Sequence, residues 1–153
     1  MPICAEVSIA LAPSIARAAA TLLALTEEAQ AALGRSEVHL THFPFRVGRE
    51  KRAGTWWWPG RLDRRVRDAQ GPNDLYLVEQ RDHPHISRDH FLIERVETRF
   101  FVVDRGSLCG TIVGGTRIGG YRHGGRTELR HGDVIFVGSS KSPYVYRFDI
   151  AGT

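Results

Sequence analysis

Between Val38 and Ile150 the sequence is cut into short runs in which apolar residues recur at every second position. A period of two places alternate side chains on one face, and a chain of this kind buries that face by pairing strands into sheets. The clearest run is the last. Tyr144, Tyr146, Phe148 and Ile150 share one face, and Val145, Arg147 and Asp149 the other, as in a half-buried antiparallel strand. Further strands are predicted at Val38–Thr41, Phe43–Val47, Leu75–Glu79, His90–Val96, Phe100–Asp104, Thr111–Val113 and Val134–Val137. Ten of the 16 glycines fall between Gly106 and Gly138, where tight turns would be needed. Short strands joined by glycine-marked turns predict an all-β sandwich.

Residues 1–36 have a different texture. Ile15, Ala18, Leu22, Leu25, Ala29 and Leu33 recur at helical spacing. The pattern predicts an α-helix over Ser14–Leu33, capped by Ser14 and stopped by Gly34. It forms an N-terminal helical extension that docks on the sandwich or on a partner. A second stretch, Glu50–Pro72, fits neither period. It holds Trp56-Trp57-Trp58, Pro59-Gly60 and six cations against three carboxylates. A long loop inserted between two strands is expected there, and loops of that length are usually functional or disordered.

Composition sets the outer limits. The 153 residues, 42% hydrophobic and 25% charged, suit one domain with an appended element and exclude a disordered chain. No run of 18 apolar residues exists to cross a membrane, and the N-terminus lacks a basic leader. Two cysteines, Cys4 and Cys109, cannot build a disulfide framework. A reducing, cytoplasmic location is the expectation. The net charge of +4 is made from 19 Arg and 2 Lys, and Arg suits phosphate and carboxylate oxygens.

The chemistry lies in ordered clusters along the β region. Phe45-Arg46-Val47-Gly48-Arg49 runs a strand into a Gly-Arg step, and Asn73-Asp74-Leu75-Tyr76-Leu77 follows. Ile86-Ser87-Arg88-Asp89-His90-Phe91 and the stretch Asp104–Gly115 complete the set. Arg49, Ser87 and Arg88 would serve as phosphate donors if they converged, each charge-assisted bond contributing about 1.5–3 kcal/mol.

Competing chemistries fare worse. Ser87, Asp89 and His90 are triad residue types without a nucleophile elbow, so no enzyme is expected. His83 and His85 lack acidic or cysteine partners at ligand spacing, so no metal or other cofactor is implied. The glycines from Gly114 to Gly125 have no P-loop ending. The tryptophans and arginines of residues 50–72 could stack on nucleic acid, but that reading ranks below the others.

Taken in order, the clusters resemble the forkhead-associated (FHA) domain, whose signature is a Gly-Arg step, Ser-x-x-His, and Asp-x-x-Ser-x-x-Gly-Thr-x-x-Asn-Gly. Here these are Gly48-Arg49, Ser87 to His90, and Asp104 to Gly115. The resemblance spans roughly residues 38–150, about three-quarters of the chain. It implies an antiparallel sandwich of about eleven strands at 37–150, carrying the insertion at 50–72, whose end loops bind a phosphothreonine protein or peptide. That ligand would belong to a Ser/Thr kinase or its substrate.

By the same resemblance, Arg49 clamps the phosphate, Ser87 donates its hydroxyl, and Arg88, Cys109, Thr111 and Gly114 line the peptide site. His90, Gly48, Gly110 and Gly115 support it. Gly114 and Cys109 stand where the family has asparagines that hold the peptide main chain. Each lost bond would cost about 0.5–1.5 kcal/mol, roughly threefold to tenfold in affinity. Two further expectations follow: a phospho-independent scaffold if that grip has failed, and self-recognition if Thr21 or Thr26 were phosphorylated.

Overall fold

The computed structural model describes residues 19–50, 73–79 and 85–152. Ser14, His83 and the insertion from Lys51 to Pro72, with its tryptophans, lie outside the described residues.

Among the described residues, eleven strands form two sheets: β1 (Ala20–Ala24), β2 (Glu37–Leu40), β3 (Phe45–Arg49), β4 (Leu75–Leu77), β5 (Phe91–Val96), β6 (Arg99–Asp104), β7 (Thr111–Val113), β8 (Thr116–Ile118), β9 (Gly125–Leu129), β10 (Val134–Val137) and β11 (Val145–Ile150). One sheet runs β2-β1-β11-β10-β7-β8, the other β4-β3-β5-β6-β9. The predicted sandwich is therefore present. It departs from a fully antiparallel arrangement at one place, where β3 and β4 pair in parallel, Val47 opposite Leu75.

The core lies between the sheets, where the period-two residues meet. Leu22, Ile135, Val137, Tyr146 and Phe148 face Val47, Leu77, Phe91, Ile93, Phe100 and Val102, all buried. Phe100 and Phe148 meet edge-on across the gap, ring centroids 5.1 Å apart, a geometry favoured by the ring quadrupoles. The alternation expected for β11 holds on its inner face, where Tyr144, Tyr146 and Phe148 are buried.

The predicted helix over Ser14–Leu33 is corrected. Ala20–Ala24 is a strand, and the helix α1 covers Glu27–Leu33 only. Ala and Leu favour a helix in isolation, but β1 sits between two partners. It pairs with β11 from Ala20–Ile150 to Ala24–Tyr146 and with β2 on its other side. A strand in that position buries Ala20, Thr21 and Leu22 on both faces, and this tertiary gain outweighs local propensity. Residues 20–36 thus belong to the sandwich and not to an extension. The N-cap is Thr26, whose hydroxyl accepts from the Ala29 N–H at 3.2 Å. Gly34 ends the helix in the left-handed region, as expected. The helix packs against β1 and β2 of one sheet and β4 of the other.

β8 and β9 were not expected. They are the edges of their sheets, and only Leu129 among their residues is buried. Edge strands need little apolar pattern, which removes the signal used elsewhere.

Because β1 is internal to the sheet, Leu22→Ala should cost about 2–5 kcal/mol, as for other buried leucines. Denaturant unfolding of the variant measures this, and a loss below about 1 kcal/mol would contradict an internal β1.

Candidate functional site

Three loops meet at one end of the sandwich: the end of β3, the segment before β5, and the turn between β6 and β7. Their anchor is a buried pair of polar side chains. Asp104, at the end of β6, is 3% exposed. Its Oδ1 accepts from the Gly106 and Ser107 N–H groups at 3.1 and 2.8 Å. Its Oδ2 accepts from the hydroxyls of Ser107 and Thr111 at 2.6 and 2.9 Å. A buried carboxylate needs this many donors to offset its desolvation, and the Asp-x-x-Ser spacing brings them within reach.

His90 is the second anchor, fully buried. Its Nδ1 accepts from the Ser87 N–H at 3.0 Å, which leaves Nε2 to donate to the Gly110 carbonyl at 2.7 Å. The tautomer follows, because a backbone N–H can only donate. Burial pushes the His90 pKa down, against smaller opposing effects of the Gly110 carbonyl and Asp104. The neutral ring thus ties the Ser87 loop to the β6–β7 turn.

The Gly-Arg step needs its glycine for space. A Cβ on Gly48 would stand 1.9 Å from the Arg88 carbonyl oxygen and 2.6 Å from Asn73 Nδ2. The loop is laid directly on the β3 backbone, and Asn73 Nδ2 donates to that same carbonyl at 2.8 Å. The Arg49 N–H donates to the Ser87 carbonyl at 2.9 Å.

These contacts place Arg49, Ser87 and Arg88 on one open cleft of about 590 Å³. The Ser87 Oγ accepts from the Leu108 N–H at 3.0 Å, so its own proton remains available to a ligand. Arg88 is exposed. Arg49 is already engaged: its Nη1 donates to both Glu79 oxygens at 3.2 and 3.1 Å, and its Nε is buried without a partner.

Three expected lining residues lie elsewhere. Thr111 is fully buried and spends its hydroxyl on Asp104, so it supports the turn and offers nothing to a peptide. Gly114 and Gly115 form the two-residue turn of the β7–β8 hairpin, with φ of 56° and 85°. Such turns take Asn-Gly or Gly-Gly because both positions are left-handed. Gly114 is therefore a turn residue outside the lining of the cleft. Cys109, half-buried, does not line the cleft; its carbonyl accepts from Arg117 Nη2 at 2.7 Å. Gly110 holds the turn through its N–H to Ser107 Oγ and its carbonyl to His90. Leu108, 52% exposed, occupies the rim instead.

Sequence reasoning missed Glu79, Asp89, Arg105 and Arg122, which also line the cleft. Arg105 stood inside a quoted motif, and its Nη1 donates to Asn73 Oδ1 at 2.7 Å and its Nη2 to Asp89 at 2.9 Å. Arg122 carried no motif at all. It reaches the cleft because the loop from Gly119 to Gly124 folds back on the β6–β7 turn, Gly119 packing so close to Asp104 that a Cβ would lie 2.3 Å from its Cγ.

The FHA-domain family model matches residues 45–138. The chain belongs to the FHA-domain family. Solved structures show the same fold: the FHA domain of the CT664 protein from Chlamydia trachomatis (TM-score 0.55, 20% identity, covering 86% of this chain and 96% of that one) and the kinase-interacting FHA domain of kinase associated protein phosphatase in Arabidopsis (0.57, 20%, 89% and 96%). Mycobacterium tuberculosis EmbR in complex with a low affinity phosphopeptide is 26% identical, TM-score 0.53, covering 89% of this chain and 26% of that one. No curated protein matches. FHA domains are interaction modules, and no helix among the described residues of this one is long and apolar enough to cross a membrane.

The threonines considered for self-recognition are engaged in this FHA domain. Thr21 is buried with its hydroxyl on His39 Nδ1, and the Thr26 hydroxyl donates to the Pro143 carbonyl while capping α1.

Two predictions follow from these anchors. Since the folded pKa of His90 lies below its unfolded value, its contribution to stability is present above about pH 6.5 and is lost as pH falls below that. Ring ¹⁵N shifts should show the neutral Nε2–H tautomer at about pH 6, and a protonated ring there would contradict the bridge. Gly48→Ala should destabilise by at least about 1–3 kcal/mol through overpacking, read from thermal unfolding.

Proposed function

We propose that this FHA domain recognises a phosphothreonine peptide at the cleft formed by Arg49, Ser87 and Arg88, within phosphorylation-dependent protein–protein association. The observation that carries this is the Ser87 hydroxyl, held by the Leu108 N–H with its proton unspent, beside an exposed guanidinium in a cleft lined by four arginines. A phosphate dianion offers acceptors only, so a hydroxyl donor and guanidiniums are the partners it requires. EmbR, solved in complex with a low affinity phosphopeptide, supports the same reading. The role is that of a binding module and not of an enzyme.

Arg49 contributes by exchange. Glu79 holds it in the absence of ligand, and a phosphate competes for the same guanidinium. A Ser/Thr kinase or one of its substrates would supply the phosphothreonine.

One observation favours a second reading. The Arg49–Glu79 pair lowers the charge available to a phosphate, as in a scaffold that associates without phosphorylation. Calorimetry with a degenerate phosphothreonine library separates the two. Binding should be lost with the unphosphorylated peptides and should weaken about tenfold or more in Ser87→Ala and Arg49→Ala. Equal binding by both variants would remove the site assignment, and partner capture that survives phosphatase treatment would favour the scaffold.

A further inference from the structure

We infer that Arg122, on the loop between β8 and β9, is a third phosphate-binding guanidinium of this cleft, beside Arg49 and Arg88. The inference rests on the phosphothreonine reading and assigns a residue to it.

Charge is the first argument. Of the four arginines lining the cleft, two already face an acid. Arg49 donates to Glu79, and Arg105 donates to Asp89 at 2.9 Å. Arg88 and Arg122 are exposed and have no acidic partner among the described residues. Counted as guanidiniums against carboxylates alone, these four arginines with Glu79 and Asp89 leave the described lining at +2. A phosphothreonine carries about −1.5 to −2 at neutral pH. One phosphate therefore matches in charge the two guanidiniums that face no acid among the described residues.

Placement is the second argument. Arg122 is not a loose surface side chain at its root. Its N–H donates to the Ser107 carbonyl at 3.0 Å, and the Tyr121 N–H donates to the Leu108 carbonyl at 2.8 Å. The Leu108 N–H in turn donates to Ser87 Oγ. Two backbone links thus tie the Arg122 segment to the hydroxyl that faces the ligand. Tyr121 and Arg122 also have φ of 51° and 65°. Long side chains take this left-handed conformation at a cost that glycine does not bear. A cation held at such a position, on the rim of an anion-complementary cleft, is aimed there by the fold. Guanidiniums from two different loops, each able to bind in bidentate fashion, would hold the phosphate through two of its edges.

The test uses wild type, Arg122→Ala and Arg122→Lys of the full chain. Inorganic phosphate is titrated while the arginine Nε–H signals are followed by NMR, and phosphothreonine peptides from the degenerate library are titrated by calorimetry. The expected result is that the Arg88 and Arg122 signals move along one saturation curve. Arg122→Ala should then weaken peptide binding about tenfold with an unchanged melting temperature, and Arg122→Lys should restore part of it. Wild-type peptide affinity in Arg122→Ala overturns the inference while the phosphothreonine reading stands. Wild type that binds no phosphopeptide, yet whose Arg122 signal moves with phosphate, overturns that reading and retains the anion site. If wild type binds no phosphopeptide and phosphate leaves the Arg122 signal unmoved, both are overturned.

Discussion

The binding end of this domain depends on a carboxylate that cannot be left alone. Asp104 is buried at the end of β6 and is held by four donors, two backbone and two hydroxyl, all supplied by the seven residues that follow it. Without them the charge would be desolvated and unpaired, so the turn has one arrangement that keeps it folded. That arrangement sets the Leu108 N–H under Ser87 and the Gly110 carbonyl under His90. The position of the Ser87 hydroxyl is thus a consequence of how a buried acid behind it is satisfied.

His90 carries the same constraint across to the next loop. A charged imidazole could not accept the Ser87 N–H, and burial keeps the ring neutral. Gly48 and Asn73 close the bracket from the other side, the first by leaving room for the Arg88 carbonyl and the second by donating to it. The cleft is consequently rigid at its base and charged at its rim. Its rim cations divide into those neutralised within the protein, Arg49 and Arg105, and those that face outward, Arg88 and Arg122.

Much of the fold was readable from the chain because the physics that builds it is periodic. The inner faces of β3, β5, β6, β10 and β11 are written as alternating apolar residues. Where the pattern fails, the reason is also physical. β1 carries alanines and leucines that favour a helix until two neighbouring strands pair with them. β8 and β9 are edges that need no inner face. Within the site, the motif spacing named Arg49, Ser87, Arg88 and His90, because a local turn imposes local spacing. It misplaced Thr111, which turns inward to Asp104, and Gly114, which the hairpin requires for its left-handed turn.

By itself, then, the sequence determined the sandwich, the Asp104–Thr111 turn and the order of the motifs that meet at the cleft, since each of these rests on contacts a few residues apart or on a strict period. Only the tertiary structure decided which arginines are spent and which are free. Arg49 meets Glu79 across 30 residues, Arg105 meets Asp89 across 16, and Arg122 reaches the cleft through a glycine loop that no motif marks. Charge composition cannot distinguish these cations, because neutralisation depends on distance in space and not along the chain.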